Sequence, residues 1–139
     1  MPLHLKKLSV GSEDIKTLTA WHDELVKRNG RIMHVTRSFP RRADAILDGG
    51  SMFWVIKGWM CARQPIIDLV EVVRGDGKPA CGIVLKPGLI PVVERRLRPF
   101  QGWRYLEAND APADLPAGAN PDEVMPREMQ EELRELGLL

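Results

Sequence analysis

Proline has no backbone N–H to donate, yet residues 51–106 set two prolines inside what otherwise reads as continuous strand. The runs are SMFWVIKG from Ser51, WMCARQPIIDLVEVV from Trp59, ACGIVLK after the Gly75-Asp76-Gly77 turn, LIPVVER after Pro87-Gly88, and GWRYL ending at Leu106. They are rich in Val and Ile and punctuated by turn residues, which is the signature of successive strands joined by hairpins. Pro65 and Pro91 therefore imply sheet edges or bulges. A small, bent, mostly antiparallel sheet or partial barrel accommodates both, and a flat sheet does not.

Ahead of this block the pattern changes to mixed helix and strand, so the expected class is α+β. Leu3 to Val10 alternates as a first strand, and Gly11-Ser12 offers an N-cap before the acidic pair Glu13-Asp14. Ile15, Leu18, His22, Leu25 and Val26, with Trp21 beside them, fall at helical spacing and predict an amphipathic helix ending at Asn29-Gly30. Ile32 to Arg37 reads as a second strand. Pro40 then opens a short helix with a seam of Ala43, Ile46 and Leu47, closed by Gly49-Gly50.

At 139 residues and 44% hydrophobic content, the chain suits one domain with its own core. Its net charge of +1 hides an asymmetry. Residues 1–106 hold 18 Lys and Arg against 10 Asp and Glu, a net of +8, and residues 107–139 hold 2 against 9, a net of −7. The expected organisation is a basic body over 1–106, a linker over 107–120 (EANDAPADLPAGAN), and an acidic helix over 121–139 docked on the same domain. Asn120 or Asp122 would cap that helix, Val124, Met125, Met129, Leu133 and Leu136 would form its seam, and Gly137 would stop it.

MPLHLKKLSV carries two lysines and does not read as a signal peptide, and nothing approaches the roughly 20 apolar residues of a membrane span. A cytoplasmic protein is expected, with no membrane association. Cys61 and Cys81 read as reduced, buried thiols: a hairpin at Gly75–Gly77 sets Cys81 opposite Glu71 and leaves Cys61 far along the partner strand.

The densest mixture of positive charge and flat apolar surface is ERRLRPFQGWRYL, residues 94–106. Arg95, Arg96, Arg98 and Arg104 can neutralise phosphates, while Trp103 or Tyr105 offers a face to an unpaired base. Arg41 and Arg42 at the start of the short helix, with Lys57 and Arg63 on the strands that follow, would extend this basic surface. The competing assignment makes Phe100, Trp103 and Leu106 core and the arginines a solvated rim paired with the acidic tail. Trp54 and Trp59 face the same choice between core and stacking platform.

Catalytic and metal signals are weak. His4, His22 and His34 lack the spacing of a metal motif, so no metal and no cofactor are expected. Cys61, two residues from Arg63, has no histidine placed beside it by sequence, and Asp68 could face either way. Gly75-Asp76-Gly77-Lys78 lacks the spacing of a phosphate loop and reads as a turn.

At SMFWVIKG, ARQPI and RPFQGWRYL the chain resembles the domain-of-unknown-function family numbered 1489, short alphaproteobacterial proteins, and the resemblance runs from the first strand to the terminal ELGLL. It implies a bacterial protein and transfers no activity. ADAILDGGSMFWVIKG also resembles, in element order, the helix, glycine and strand of pseudouridine-synthase-associated (PUA) and activating-signal-cointegrator-type RNA-binding domains, which implies a bent barrel.

The function expected from these features is a non-catalytic module for RNA rather than duplex DNA, because no helix presents a basic groove-reading face and the aromatics suit unstacked bases. One alternative is an enzyme acting on a small or phosphorylated molecule, with a pocket in the bent sheet using Arg63, Arg104 and Asp68 or His34. The other is a protein-interaction module docking through Val124, Met129 and Leu133.

Overall fold

The computed structural model describes residues 2–9, 11 and 13–115. These build a mixed α+β fold in the order β1 (His4–Leu8), α1 (Ile15–Asn29), β2 (Ile32–Thr36), α2 (Ala43–Leu47), β3 (Ser51–Ile56), β4 (Trp59–Val73), β5 (Pro79–Leu85), β6 (Ile90–Arg96) and β7 (Trp103–Leu106). The seven strands form one sheet in the order β2-β5-β4-β3-β1-β7, with β6 pairing β4. It is open, which corrects the expected partial barrel. Every pairing is antiparallel except β1 with β3.

The long strand β4 organises the rest, and Pro65 marks where its partner on one side changes. Residues 66–73 of β4 pair with β5, from Val73↔Pro79 to Ile66↔Leu85, and residues 59–63 pair with β6, from Arg63↔Ile90 to Trp59↔Arg96. Pro65 sits at the handover. It offers only a carbonyl, which accepts the Lys86 N–H at 3.0 Å, and the Gln64 side-chain amide donates to the Lys86 carbonyl at 2.9 Å. The register shifts between Ile66 and Asp68, one residue beyond it, and again between Met60 and Ala62 opposite Pro91. Pro91 lies in a strand whose other side meets only a short segment: its carbonyl accepts from Leu115 N–H at 3.0 Å, and Val93 N–H donates to Ala113 at 2.8 Å.

Both faces of the sheet are covered at its centre, which explains why β3 is buried at all six positions. Met52, Trp54 and Ile56 join the cluster beneath the helices, with Leu5, Leu18 and Ile46. Phe53 and Val55 join a second cluster with Met60, Val92 and Leu106, roofed by Leu97, Phe100 and Ala111. Trp54 and Trp59 are therefore core residues, 1% and 6% exposed, and neither is a stacking platform. Phe100 is half-buried against the second cluster.

α1 ends at Gly30 in the left-handed conformation (φ 76°), with its N–H bonded to Val26. Its N-cap is Asp14, whose carboxylate accepts from Thr17 N–H at 2.8 Å, where the sequence pointed to Gly11-Ser12. α2 is a single turn of five residues with Leu47 exposed and Arg42 at its N-cap position without a side-chain cap. The hairpin at Gly75–Gly77 sets Cys81 opposite Glu71 as expected, and both cysteines are free and buried.

After β7 the chain makes a 3-10 turn at Ala108–Asp110 and bridges Asp114 to Val92, so residues 107–115 lie along β6. The rest of the expected linker and the expected terminal helix, with Val124, Met129 and Leu133, lie outside the described residues. No helix among those described is long and apolar enough to cross a membrane.

Candidate nucleic-acid interface

The arginine-aromatic segment is divided by the two-residue period of the strand it enters. Among the described residues β7 is an edge strand paired with β1 alone, in the register Lys7↔Trp103, Lys6↔Arg104, Leu5↔Tyr105 and His4↔Leu106. Trp103 and Tyr105 pack toward the cluster beneath the helices. Arg104 shares the opposite face with Leu106, beside its cross-strand neighbour Lys6.

On that face the loop between β6 and β7 completes a pocket of about 450 Å³. Leu97 N–H donates to the Gly58 carbonyl at 2.8 Å, fixing the loop against the β3–β4 turn, and Leu97 and Phe100 pack onto the second cluster. Lys6, Arg98 and Arg104 supply cations, Leu97, Pro99 and Phe100 an apolar wall, and Tyr105 also contributes. The Lys6 ammonium stands 5.8 Å from the Phe100 ring centroid. No carboxylate lines the pocket, and none of its three cations forms an ion pair among the described residues.

Other expected contact residues are committed elsewhere. Arg42 pairs with Glu107 at 2.9 Å and lies 5.7 Å from the Tyr105 ring centroid, and its backbone N–H donates to the Tyr105 hydroxyl. Trp103, half-buried, donates its indole N–H to the Ser38 carbonyl at 2.9 Å. Arg95 donates to the Asp110 carbonyl at 2.7 Å, and the Arg96 guanidinium lies 5.9 Å from the Trp59 centroid. Arg63 is held by both carboxylate oxygens of Asp114, at 2.7 and 2.9 Å, and also donates to Ser51 Oγ. This pairing holds the Asp114 carboxyl below its ordinary range and raises the arginine. Arg41 is exposed near α2, whose one turn is too short to make the expected phosphate site at its start. Lys57 is exposed in the β3–β4 turn with φ 51°, beside the loop but outside the pocket lining.

The residues of the enzyme alternative do not converge in the same way. Arg63 faces Asp114, Asp68 is exposed with its carboxylate turned to the Leu69 N–H, and His34 is buried under α1. Burial pushes the Cys81 thiol up to about 11, the behaviour of an inert thiol. Among the described residues no group of three or more His, Cys, Asp or Glu could hold a metal ion.

Sequence reasoning missed Lys6 in the pocket and the meeting of His22 with His34. The signal for Lys6 was its alternation with Leu5 on β1, but the partner strand lies about a hundred residues away in the chain. His22 and His34 sit at ordinary core spacing on two different elements, and their Nε2 atoms come within 3.0 Å.

The chain belongs to the family described as Protein of unknown function (DUF1489), whose model matches residues 5–139. No curated protein and no solved structure matches it. The likeness to PUA-type RNA-binding domains accordingly rests on element order alone.

Proposed function

We propose that this family member binds single-stranded RNA through the pocket formed by Lys6, Arg98, Arg104 and Phe100. The observation that carries the reading is the convergence on an apolar wall of three cations that have no ion-pair partner among the described residues, with no carboxylate among the described lining residues. Phosphate supplies the missing counter-charge, and a ribose or unstacked base suits the surface of Leu97, Pro99 and Phe100. The volume falls within the roughly 300–1,000 Å³ of ligand sites. A groove-reading mode for duplex DNA has less support, because the exposed face of α1 alternates Asp23 and Glu24 with Lys27 and Arg28. In this reading the protein works in the cytoplasm and the site is one of binding rather than catalysis.

The test is a titration of full-length protein with a labelled single-stranded RNA at several salt concentrations. Log affinity should fall linearly with log salt, with a slope of roughly −0.7 for each phosphate charge neutralised. Lys6→Gln and Arg104→Gln should each weaken binding and flatten the slope with an unchanged circular dichroism spectrum. Absence of binding at about 50 mM salt, or binding indifferent to salt, would sink the proposal.

A further inference from the structure

Taking the RNA-binding reading as given, we infer that the pocket receives the phosphorylated end of a strand, a terminal phosphomonoester, rather than an internal phosphodiester. The first argument is charge. Lys6, Arg98 and Arg104 place three positive charges around one pocket of about 450 Å³. An internal diester brings one negative charge. A monoester brings about 1.5 to 2 at neutral pH and has three acceptor oxygens to divide among three donors.

The second argument is continuity. A surface that follows the interior of a strand needs cations spaced along a path, as in a single-strand groove. Here the neighbouring arginines are engaged by the protein itself: Arg42 by Glu107, Arg63 by Asp114, and Arg95 by the Asp110 carbonyl. Lys6, Arg98 and Arg104 are gathered at one point, which suits a terminus, and the exposed Arg41 and Lys57 lie outside that lining.

The third argument is preorganisation. Lys6 and Arg104 are fixed side by side by the β1–β7 ladder, and the loop bearing Arg98 is pinned by the Leu97–Gly58 hydrogen bond. The Lys6 ammonium stands beside the Phe100 ring, so a phosphate bound to it brings the terminal nucleoside against the apolar wall. The backbone that carries the three cations is thus held before a ligand arrives, and only side chains remain to be ordered on binding.

The experiment uses the full chain and one short single-stranded RNA made in three forms: with a 5′-phosphate, with a 3′-phosphate, and with hydroxyls at both ends. The inference expects one phosphorylated form to bind about tenfold more tightly than the dihydroxyl form, the effect of one additional charge-assisted hydrogen bond. Which form it is identifies the end. Arg98→Gln should reduce the preference while leaving salt-dependent binding of the dihydroxyl RNA, and inorganic phosphate should compete with the preferred form. The preference should also decline as pH falls below about 6, where the monoester loses its second charge. Equal, salt-dependent binding of all three forms would overturn the inference and leave the RNA-binding reading standing. Binding of none would overturn both.

Discussion

His22 on α1 and His34 on β2 meet Nε2 to Nε2 at 3.0 Å, both buried, in a nest formed with Trp21 and Trp54. His22 Nδ1 is buried and finds no partner. A buried N–H without an acceptor costs more than a buried lone pair without a donor, so we assign His22 as the donor through Nε2 and His34 as the acceptor. The bond requires an unprotonated Nε2 on His34, and burial disfavours a charge on either ring. Burial, opposed by Asp23, holds His22 at about 4, and burial with the charges of His22 and Lys7 holds His34 at about 3.

Acid should therefore weaken this fold well above the carboxylate range. Both folded-state values lie below the ordinary 6.5, so the stabilisation is complete above that pH and declines as pH falls from about 6.5 toward 4 and 3, where the native rings protonate. Across the upper part of this window the unfolded chain takes up protons that the native one refuses. Each imidazole then contributes a slope that rises from about 0.7 kcal/mol per pH unit at pH 6.5 toward about 1.4 near pH 5. Urea unfolding measured between pH 7 and pH 5 should show the decline, and a His22→Leu/His34→Phe double variant should flatten it. A wild-type curve that stays level over this range would contradict the neutral pair.

Gly50 should tolerate no side chain. A Cβ built there runs into the Leu3 and Ile46 carbonyl oxygens, which are backbone atoms held in place: Gly50 N–H donates to Ile46 and the Gly50 carbonyl accepts from Ile66. Gly50→Ala should cost on the order of 3 kcal/mol or prevent folding. Gly75→Ala, at a turn position with open space around it, is the matched control and should stay within about 0.5 kcal/mol of wild type. Chemical denaturation of the pair checks both values.

Trp54 should be felt through its nitrogen as well as its size. Its indole N–H donates to Gln64 Oε1 at 3.1 Å, and the fully buried Gln64 amide donates in turn to the Lys86 carbonyl at 2.9 Å. Trp54→Phe keeps most of the volume but strands a buried carbonyl, so a loss of about 1–3 kcal/mol is expected. Trp54→Ala adds a cavity and should cost about 3–5 kcal/mol. Equal stability of Trp54→Phe and wild type would show that the hydrogen bond contributes nothing net.

The Arg63–Asp114 pair should anchor residues 111–115 rather than stabilise the whole domain. The side chains are 25% and 44% exposed, which limits the contribution to about 1 kcal/mol or less after solvent screening. Asp114→Ala should therefore leave the unfolding midpoint nearly unchanged while the Val93 and Leu115 amides, which bond Ala113 and Pro91, exchange with solvent up to about fivefold faster. Hydrogen exchange measured by NMR reads both amides, and unaltered rates would show that the segment is held without the ion pair.

Local chemistry settled much of this protein before any tertiary contact was known. The strand runs, the Gly75–Gly77 hairpin with Cys81 opposite Glu71, and the α1 stop at Gly30 depend on neighbours within a few residues, and all appear in the structure. Pro65 and Pro91 announced interruptions, because a missing N–H is a property of the residue itself. Whether the sheet closed was beyond such reasoning: closure depends on which strands become edges, and among the described residues β2 and β7 remain edges. The site divides along the same line. The segment 94–106 named Arg98, Arg104 and Tyr105 from charge and aromatics alone. The two-residue period of a strand puts Arg104 and Trp103 on opposite faces, but only the pairing of β7 with β1, between residues about a hundred positions apart, decided what each face meets and brought in Lys6. The fate of each charge was equally non-local, because an arginine is free or neutralised according to whether a carboxylate such as Glu107 or Asp114 folds back within about 3 Å of it.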